Sequence, residues 1–304
     1  MSRIPPQALL ILAALLWGGN FVWGRALVEA LPPFGINAAR WLLALAVLIP
    51  LVLVREGTSF VGPALRSWRT LLVMGVTGVL GFNALVYLAL ERTTSVNAAL
   101  ITGATPILTI FVAVAIGGGG PSARGVLGSV VGLLGVACVV TRGSLEVIAN
   151  LSPNTGDLIM LVAALCWAVY TVLAGRISRT VSPLASTTFS AVLVLPLLLA
   201  TGGYGLATRP IGSVDATAVA GLLYVGLGAS VLAFLAWNAG IARLGAARGA
   251  IFVNFVPVFT ALLAVPLLGE NLTLAQIAGG ALVILGVLLV SRSRKGKAAA
   301  GSSR

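Results

Sequence analysis

Long uninterrupted runs of apolar residues alternate with short polar or charged connections along the whole chain. Each run is close to the length of about 20 apolar residues that an α-helix needs to cross a bilayer. The alternation of apolar and polar residues that marks a transmembrane β-strand does not occur in these runs. Boundaries at Gly, Pro and charged residues predict ten helices, at residues 7–28, 34–54, 70–90, 95–116, 124–141, 157–176, 183–200, 216–240, 246–268 and 273–291. The pattern therefore predicts an all-α integral membrane protein.

Composition excludes several other classes of protein. Of the 304 residues, 59% are hydrophobic and 9% are charged, whereas soluble domains are about 25% charged. The chain has no histidine, and its two cysteines, Cys138 and Cys166, lie inside apolar runs, so neither a metal site nor a disulfide is expected. No phosphate-binding loop or serine nucleophile motif is present. We therefore expect no cofactor and no enzymatic activity, although a channel stays open as an alternative to a carrier.

The charge distribution gives an orientation. A net charge of +12 would indicate nucleic-acid binding in a soluble protein, but here the basic residues lie in the connections and in the tail, 292–304. If the amino terminus is cytoplasmic, 14 of the 19 Lys and Arg residues fall on the cytoplasmic side, as the positive-inside rule requires. This distribution predicts ten spans with both termini in the cytoplasm. The expected partners are the lipid bilayer and a small molecule, with no nucleic acid; the oligomeric state is left open.

The two halves of the chain resemble each other. Trp17 and Trp167 close the similar stretches AALLW and AALCW, and Pro106 and Pro257 correspond at nearly the same offset. Because five helices are an odd number, the second half enters the membrane from the opposite side, which makes an inverted repeat typical of secondary transporters. The predicted divisions are a first five-helix repeat, an outside linker, a second inverted five-helix repeat and a basic cytoplasmic tail, at residues 1–141, 142–156, 157–291 and 292–304.

These features resemble a known family. The segment Trp17-Gly18-Gly19-Asn20-Phe21, the Leu268-Gly269-Glu270 element after Pro257 and the helix with Gly279 and Gly286 resemble the drug/metabolite transporter superfamily, EamA-type. Within it the chain looks most like the YddG-type exporters of aromatic and other amino acids, although Gly119 replaces the acidic residue in the first half. The resemblance implies a multi-pass exporter in the bacterial inner membrane with a central cavity between the repeats. Drugs, sugars or nucleotide derivatives are the alternative substrates.

Polar and aromatic residues inside the apolar spans are candidates for the cavity wall, because polar groups in hydrocarbon must find partners. Their helical spacing favours a wall with aromatic faces and a few amide groups, suited to an amphiphilic solute. The alternative is that the amides only join helices and that the tryptophans lie in the interfacial belt. The candidates are Trp17, Asn20, Asn83, Tyr87, Trp167, Tyr170, Trp237, Asn238 and Asn254.

Three further features bear on mechanism. Pro106 and Pro257 each interrupt a span and are candidate hinges. Arg40 lies about 9 Å into its helix at 1.5 Å per residue, and we expect it to extend its side chain to the outer interface, with Glu270 as a possible partner. No carboxylate falls near the middle of a predicted span, which leaves the coupling ion open.

Overall fold

Helices account for the secondary structure of the described part of the chain. The computed structural model describes residues 4–90, 92–93, 95–117, 122–209, 211–268 and 271–291. Within them the α-helices are α1 (Pro6–Ala30), α2 (Pro33–Glu56), α3 (Val61–Arg66), α4 (Trp68–Met74), α5 (Phe82–Leu90), α6 (Ser95–Gly103), α7 (Thr105–Ala115), α8 (Ala123–Thr141), α9 (Leu145–Ala149), α10 (Thr155–Ile177), α11 (Pro183–Thr208), α12 (Ala216–Leu223), α13 (Ala233–Leu244), α14 (Ala246–Gly249), α15 (Phe255–Leu268) and α16 (Leu274–Ser291).

Three non-α segments continue some of these helices. The π-helical segments π1 (Gly75–Gly81) and π2 (Tyr224–Leu232) join α4 to α5 and α12 to α13. A 3₁₀ segment, Ala250–Asn254, joins α14 to α15. π-helical turns are rare and are frequent at functional sites, so π1 and π2 are candidates for part of such a site.

Local sequence explains where the helices begin. Pro6, Pro33 and Pro183 lie in first turns, where a missing N–H costs nothing. Asn154 and Asp157 form a reciprocal capping box at the start of α10, which satisfies backbone donors that the helix itself cannot. These caps matter because unsatisfied backbone groups are costly at a membrane boundary.

By length and apolar composition, eight helical stretches of the described residues are able to cross a membrane, and a ninth if α6 and α7, bent by 42°, form one span. Helix α1 contributes a shorter apolar stretch, Pro6–Asn20, among those residues. Each of the ten predicted helices overlaps a helical stretch of the structure. The number of ten crossings, and the cytoplasmic placement of the tail at 292–304, which lies outside the described residues, stay predictions.

One predicted boundary was wrong. The seventh helix was expected to end at residue 200, but α11 continues to Thr208. Glycines inside this helix serve contact rather than termination: a Cβ on Gly202 would lie 2.5 Å from the Ala38 Cβ, and one on Gly205 would lie 3.1 Å from the Phe34 Cβ. Small residues of this kind let two membrane helices approach closely.

Helix contacts occur in matching pairs between the two halves of the chain. α1 packs against α13 and α15, while α10, at the corresponding place in the second half, packs against α5 and α7. α2 packs against α11 and π2, and α11 packs in turn against π1. α8 and α16 form a pair of their own. The centre of the molecule is therefore built from α1 and α10 with the middle portions of the helices that flank them.

Glycines bring α8 and α16 into backbone contact. A Cβ on Gly135 would lie 2.7 Å from the Gly279 carbonyl oxygen, and one on Gly286 would lie 2.6 Å from the Gly128 carbonyl oxygen. Real Cβ atoms do not come this close to backbone atoms, so these positions admit glycine alone without a shift of the helices. Small residues on both helices thus let α8 and α16 pack closely.

The first prediction concerns this contact. Gly135→Ala should lower the free energy of unfolding by about 1–3 kcal/mol, the usual cost of overpacking, even though alanine has the higher helix propensity. Gly203→Ala is the matched control, because nothing lies within 4 Å of a Cβ at that position. Thermal unfolding of the two variants in detergent measures the difference. Equal melting temperatures would show that the α8–α16 contact is not tight.

Candidate functional site

Aromatic rings from the two halves of the chain meet at the centre of the molecule. The ring centroids of Trp17 and Trp167 are 5.1 Å apart and nearly perpendicular, and those of Trp17 and Trp237 are 5.3 Å apart. Tyr170 stacks on Trp167 at 5.1 Å, and Phe234 contacts Trp17 at 5.7 Å. Aromatic pairs in these geometries are attractive beyond the area that they bury. We call these five residues the aromatic core cluster.

The amide of Asn238 links this cluster to α11. Its Nδ2 donates to the Tyr170 hydroxyl at 2.7 Å and to the Thr187 Oγ1 at 2.9 Å. On the opposite side, the indole Nε1 of Trp17 donates to the carbonyl oxygen of Ala229 in π2 at 3.1 Å. The cluster is thus held by directed bonds as well as by ring packing.

Several polar atoms around the cluster have no hydrogen-bond partner among the described residues. They belong to side chains that are almost fully buried, a situation that is uncommon in proteins because an unpaired polar group loses its hydration. Such atoms can form hydrogen bonds with a polar group of a bound solute or with an ordered water. They are the Nε1 atoms of Trp41 and Trp237, the Oδ1 of Asn238, and the hydroxyls of Thr171 and Ser190.

Side chains fill the centre in this conformation. Tyr170 and Trp237 are fully buried, and Trp167 is 4% exposed. Two clefts lie near opposite ends of α10 instead. One, of about 330 Å³, is bordered by Asn97, Asn154 and α9; the other, of about 450 Å³, is bordered by Arg69, Ile116 and Leu173.

The structure places five of the nine predicted cavity residues together: Trp17, Trp167, Tyr170, Trp237 and Asn238. Asn83 is on α5, directly after Phe82, whose ring lies 5.1 Å from that of Trp167, and its Nδ2 is 3.4 Å from the Val79 carbonyl oxygen. That these five residues and Asn83 take part in transport stays a prediction.

The other three predicted residues are placed differently. Asn254 packs against α8, where a Cβ on Gly132 would lie 2.8 Å from its Nδ2, and both of its amide atoms lack a partner among the described residues. Asn20 lies on α1 with its buried Oδ1 similarly unpaired. Tyr87 lies on α5, and its side chain falls outside the described part of the structure.

Both predicted hinge prolines follow an interruption of a helix. Pro106 is in the first turn of α7, directly after the 42° bend between α6 and α7. Pro257 is in the first turn of α15, directly after the 3₁₀ segment. A first turn tolerates proline, because the N–H that proline lacks would have no partner within the helix there. Each interruption therefore lets its proline be accommodated without the loss of a helical hydrogen bond. Movement about these points stays a prediction.

The expectation for Arg40 was wrong. Instead of reaching the interface, its side chain is 2% exposed, and its Nε donates to the Ser230 Oγ in π2 at 2.7 Å. Ile36, one turn earlier on the same face of α2, is buried as well. The face of α2 that carries Arg40 is a packing face.

A polar network joins the α5–α6 connection to the start of α10. Thr93 Oγ1 donates to Asp157 Oδ1, Asn97 Nδ2 donates to the same oxygen at 3.1 Å, and the Asn154 backbone N–H donates to Asp157 Oδ2 at 3.0 Å. Close packing supports the network, since a Cβ on Gly156 would lie 2.7 Å from the Thr93 backbone nitrogen. The two halves are therefore tied together at this end of α10.

Comparison with known proteins decides the family. The family model described as the EamA-like transporter family matches residues 5–141 and 154–292. The chain belongs to the EamA-like transporter family. An EamA-like transporter is a multi-pass membrane protein that handles a small molecule, and it is not an enzyme, as expected from the composition.

Relatives cover nearly the whole chain. A protein of Bacillus subtilis (strain 168) named "Uncharacterized transporter YyaM" is 34% identical over 296 residues, 96% of this chain and 95% of the relative. An "Uncharacterized transporter" of Archaeoglobus fulgidus is 29% identical over 287 residues, 93% of this chain and 96% of the relative.

A more distant relative has a name that includes a substrate. It is the "Probable terminal-alkyne amino-acid exporter" of Streptantibioticus cattleyicolor, which is 24% identical over 292 residues, 95% of this chain and 94% of the relative. A solved structure titled "Crystal structure of protein" superimposes with a TM-score of 0.78 over 93% of this chain and 95% of its own, at 21% identity. That likeness shows the fold of this EamA-like transporter.

The second prediction tests the network at the start of α10. Asp157→Asn removes the charge that accepts from Thr93, Asn97 and the capping N–H, and it should lower the free energy of unfolding by about 0.5–2 kcal/mol, the range measured for lost caps. Glu146→Gln, a matched change at an exposed residue of α9, should have no effect. Thermal unfolding compares the two variants, and an equally stable Asp157→Asn protein would show that the carboxylate does not stabilise the contact between the α5–α6 connection and α10.

Proposed function

We propose that this EamA-like transporter exports small amphiphilic metabolites, aromatic and other neutral amino acids among them, across the bacterial inner membrane. Its substrate site is the aromatic core cluster with the polar atoms around it. The observation that carries this proposal is the coincidence of stacked indole and phenol rings with buried, unpaired polar atoms at the centre of the bundle. Rings bind an apolar side chain, and the unpaired atoms bind a polar head group.

The architecture that we propose is ten spans in two inverted five-helix repeats, residues 1–141 and 157–291, with 142–156 as the outside linker and 292–304 as a cytoplasmic tail. The matched helix contacts support it, because exchanging the halves maps the contacts of α1 with α13 and α15 onto those of α10 with α5 and α7. The positions of π1 and π2 support it as well, since each follows the start of the third helix of its half. Secondary transporters of this design bind substrate where the repeats meet.

The amino-acid assignment draws on chemistry and on a name. Flat aromatic surfaces beside amides and hydroxyls suit an amino acid better than a sugar, whose many hydroxyls would need more polar partners than the cluster offers. The Streptantibioticus cattleyicolor relative is named as an amino-acid exporter, which supports the same substrate class, as does the likeness to YddG-type exporters.

Alternating access supplies the mechanism. In the described conformation the aromatic core cluster is filled by its own side chains, and the Asp157 network joins the α5–α6 connection to the start of α10. Opening of the cluster to one side and then to the other moves the solute through, with the interruptions before Pro106 and Pro257 as hinges. A carrier of this kind exchanges substrate faster than it completes net transport.

Counterflow in proteoliposomes tests the proposed function. Vesicles loaded with unlabelled Phe, Trp, Thr or Met should accumulate the labelled amino acid transiently from outside, and accumulation that survives a protonophore would show exchange without a proton gradient. Empty vesicles and vesicles with an unrelated membrane protein are the controls. If inserted, folded protein gives no accumulation with any amino acid, the amino-acid assignment is wrong, and drugs, sugars and nucleotide derivatives are the next solutes to load.

A pair of matched variants tests the site. Asn238→Ala removes the amide that joins Tyr170 to Thr187 and should lower the exchange rate by about tenfold or more, the scale of one lost buried hydrogen-bonding group. Asn271→Ala makes the same chemical change at an exposed position and should exchange at the wild-type rate. Both proteins must have the wild-type elution profile and melting temperature within a few degrees. Equal exchange by the two variants would remove Asn238 from the site.

A further inference from the structure

Arg40 is a cationic side chain in the interior of an apolar bundle. It lies seven residues after Pro33, or about 10 Å along α2, and it is 2% exposed. Taking a guanidinium out of water is costly, and ionisable groups inside membrane helices are therefore functional far more often than incidental. Arginine in particular presents a planar set of N–H donors that matches a carboxylate.

Arg40 is bonded to π2, and residues next to it in the chain and next to its partner contact the aromatic core cluster. Its Nε donates to the Oγ of Ser230 at 2.7 Å, and the carbonyl of the preceding residue, Ala229, accepts from the Trp17 indole at 3.1 Å. The next residue of α2, Trp41, has its ring 4.9 Å from that of Phe234 in the cluster. The sequence neighbour of Arg40 on α2, Trp41, and the sequence neighbour of its partner on π2, Ala229, therefore both contact the cluster.

The segment that accepts the hydrogen bond of Arg40, π2, is π-helical and rich in small residues. Ser230 Oγ donates in turn to the Val225 carbonyl oxygen five residues earlier at 2.8 Å, the spacing of a π-helical bond. Its neighbours Gly226, Gly228 and Ala229 are buried. π-helical segments are frequent at functional sites, and the hydrogen bond of a guanidinium to a carboxylate is stronger than its bond to a neutral hydroxyl.

A hydrogen-bond acceptor, the amide oxygen of Asn37, lies on the same face of α2 as the Arg40 donors. The Oδ1 of Asn37 is buried and has no partner among the described residues, and Asn37 itself is 2% exposed. Residues three apart on a helix have Cβ atoms about 5–6 Å from each other. A guanidinium and an amide oxygen at this spacing complement the carboxylate and the ammonium group of an α-amino acid.

The corresponding position in the other half carries no charge. At the offset of 150 that relates Trp17 to Trp167, Arg40 corresponds to Ser190. Ser190 is fully buried, and its hydroxyl has no partner in the described part of the chain. The positive charge is thus on the α2 side alone of these two positions, and this asymmetry would orient a bound zwitterion.

We propose that the Arg40 guanidinium binds the carboxylate of the exported substrate, that Asn37 Oδ1 accepts from its ammonium group, and that the substrate side chain lies against the aromatic core cluster. The proposal rests on the proposed function and narrows it: the substrate must carry a carboxylate. Amines and amides of the same shape are then poor substrates, because they offer the guanidinium no negative charge.

Ligand analogues test this on the wild-type protein. Affinities for L-leucine, L-leucinamide, isoamylamine and 4-methylpentanoate are measured from the thermal shift of purified full-length protein. Leucine should bind at least about tenfold more tightly than leucinamide and isoamylamine, the scale of a lost charge-assisted bond, and 4-methylpentanoate should fall between. Leucinamide that binds as tightly as leucine would overturn the Arg40 proposal and leave the exporter proposal standing. Binding of none of the four, with no counterflow, would overturn both.

Variants then locate the effect. Arg40→Gln should lower the affinity for leucine by about tenfold and the affinity for leucinamide by less than about threefold. Arg40→Lys should have an intermediate affinity for leucine, because lysine keeps the charge without the planar set of donors. Arg66→Gln, the same change at an exposed residue of α3, is the control and should bind leucine as the wild type does. In Asn37→Ala the advantage of leucine over 4-methylpentanoate should disappear. If Arg40→Gln does not fold, the wild-type analogue series decides alone.

Discussion

The contact between Trp17 and Trp167 is the point on which the rest of the structure depends. These residues hold corresponding places in the two halves of the chain, and their rings meet edge to face at 5.1 Å. A helix in lipid satisfies its own backbone hydrogen bonds, so the helices of a bundle are held together by packing. At the centre of the molecule that packing is aromatic: Tyr170, Phe234 and Trp237 pack around the same two rings.

The same constraint explains why the centre is both tightly packed and incompletely satisfied. Ring packing buries surface and stabilises the closed state, yet it leaves amide, indole and hydroxyl groups without partners. Each such group costs free energy in a dry interior. A solute that supplies those partners while it separates the rings therefore has a route to stabilise a different conformation, which is what a carrier needs from its substrate. A close backbone contact lies elsewhere, where glycines bring α8 and α16 together.

Sequence reasoning reached the helices and much of the central cluster because both follow from periodicity. Trp17, Trp167, Tyr170 and Asn238 fall deep in apolar runs at helical spacing, and the structure brings them together. The burial of Arg40 was not predicted, because a position about 9 Å from a helix end is compatible with an exposed side chain. The packing of α2 on π2 buries it. The π segments were missed because a run that is apolar on every side carries no period. Nor does a sequence state which conformation is populated, and so a cavity was expected where side chains are packed.

The central claim is that the aromatic core cluster is where substrate binds. The most direct measurement is the structure of the protein, grown with ordinary methionine, in complex with selenomethionine as the substrate, with the selenium located by its anomalous signal. The account predicts one strong peak in van der Waals contact with the rings of Trp17 and Trp167. A peak confined to the cleft beside α9, or to the one beside Arg69, with the aromatic core cluster still closed, would contradict it.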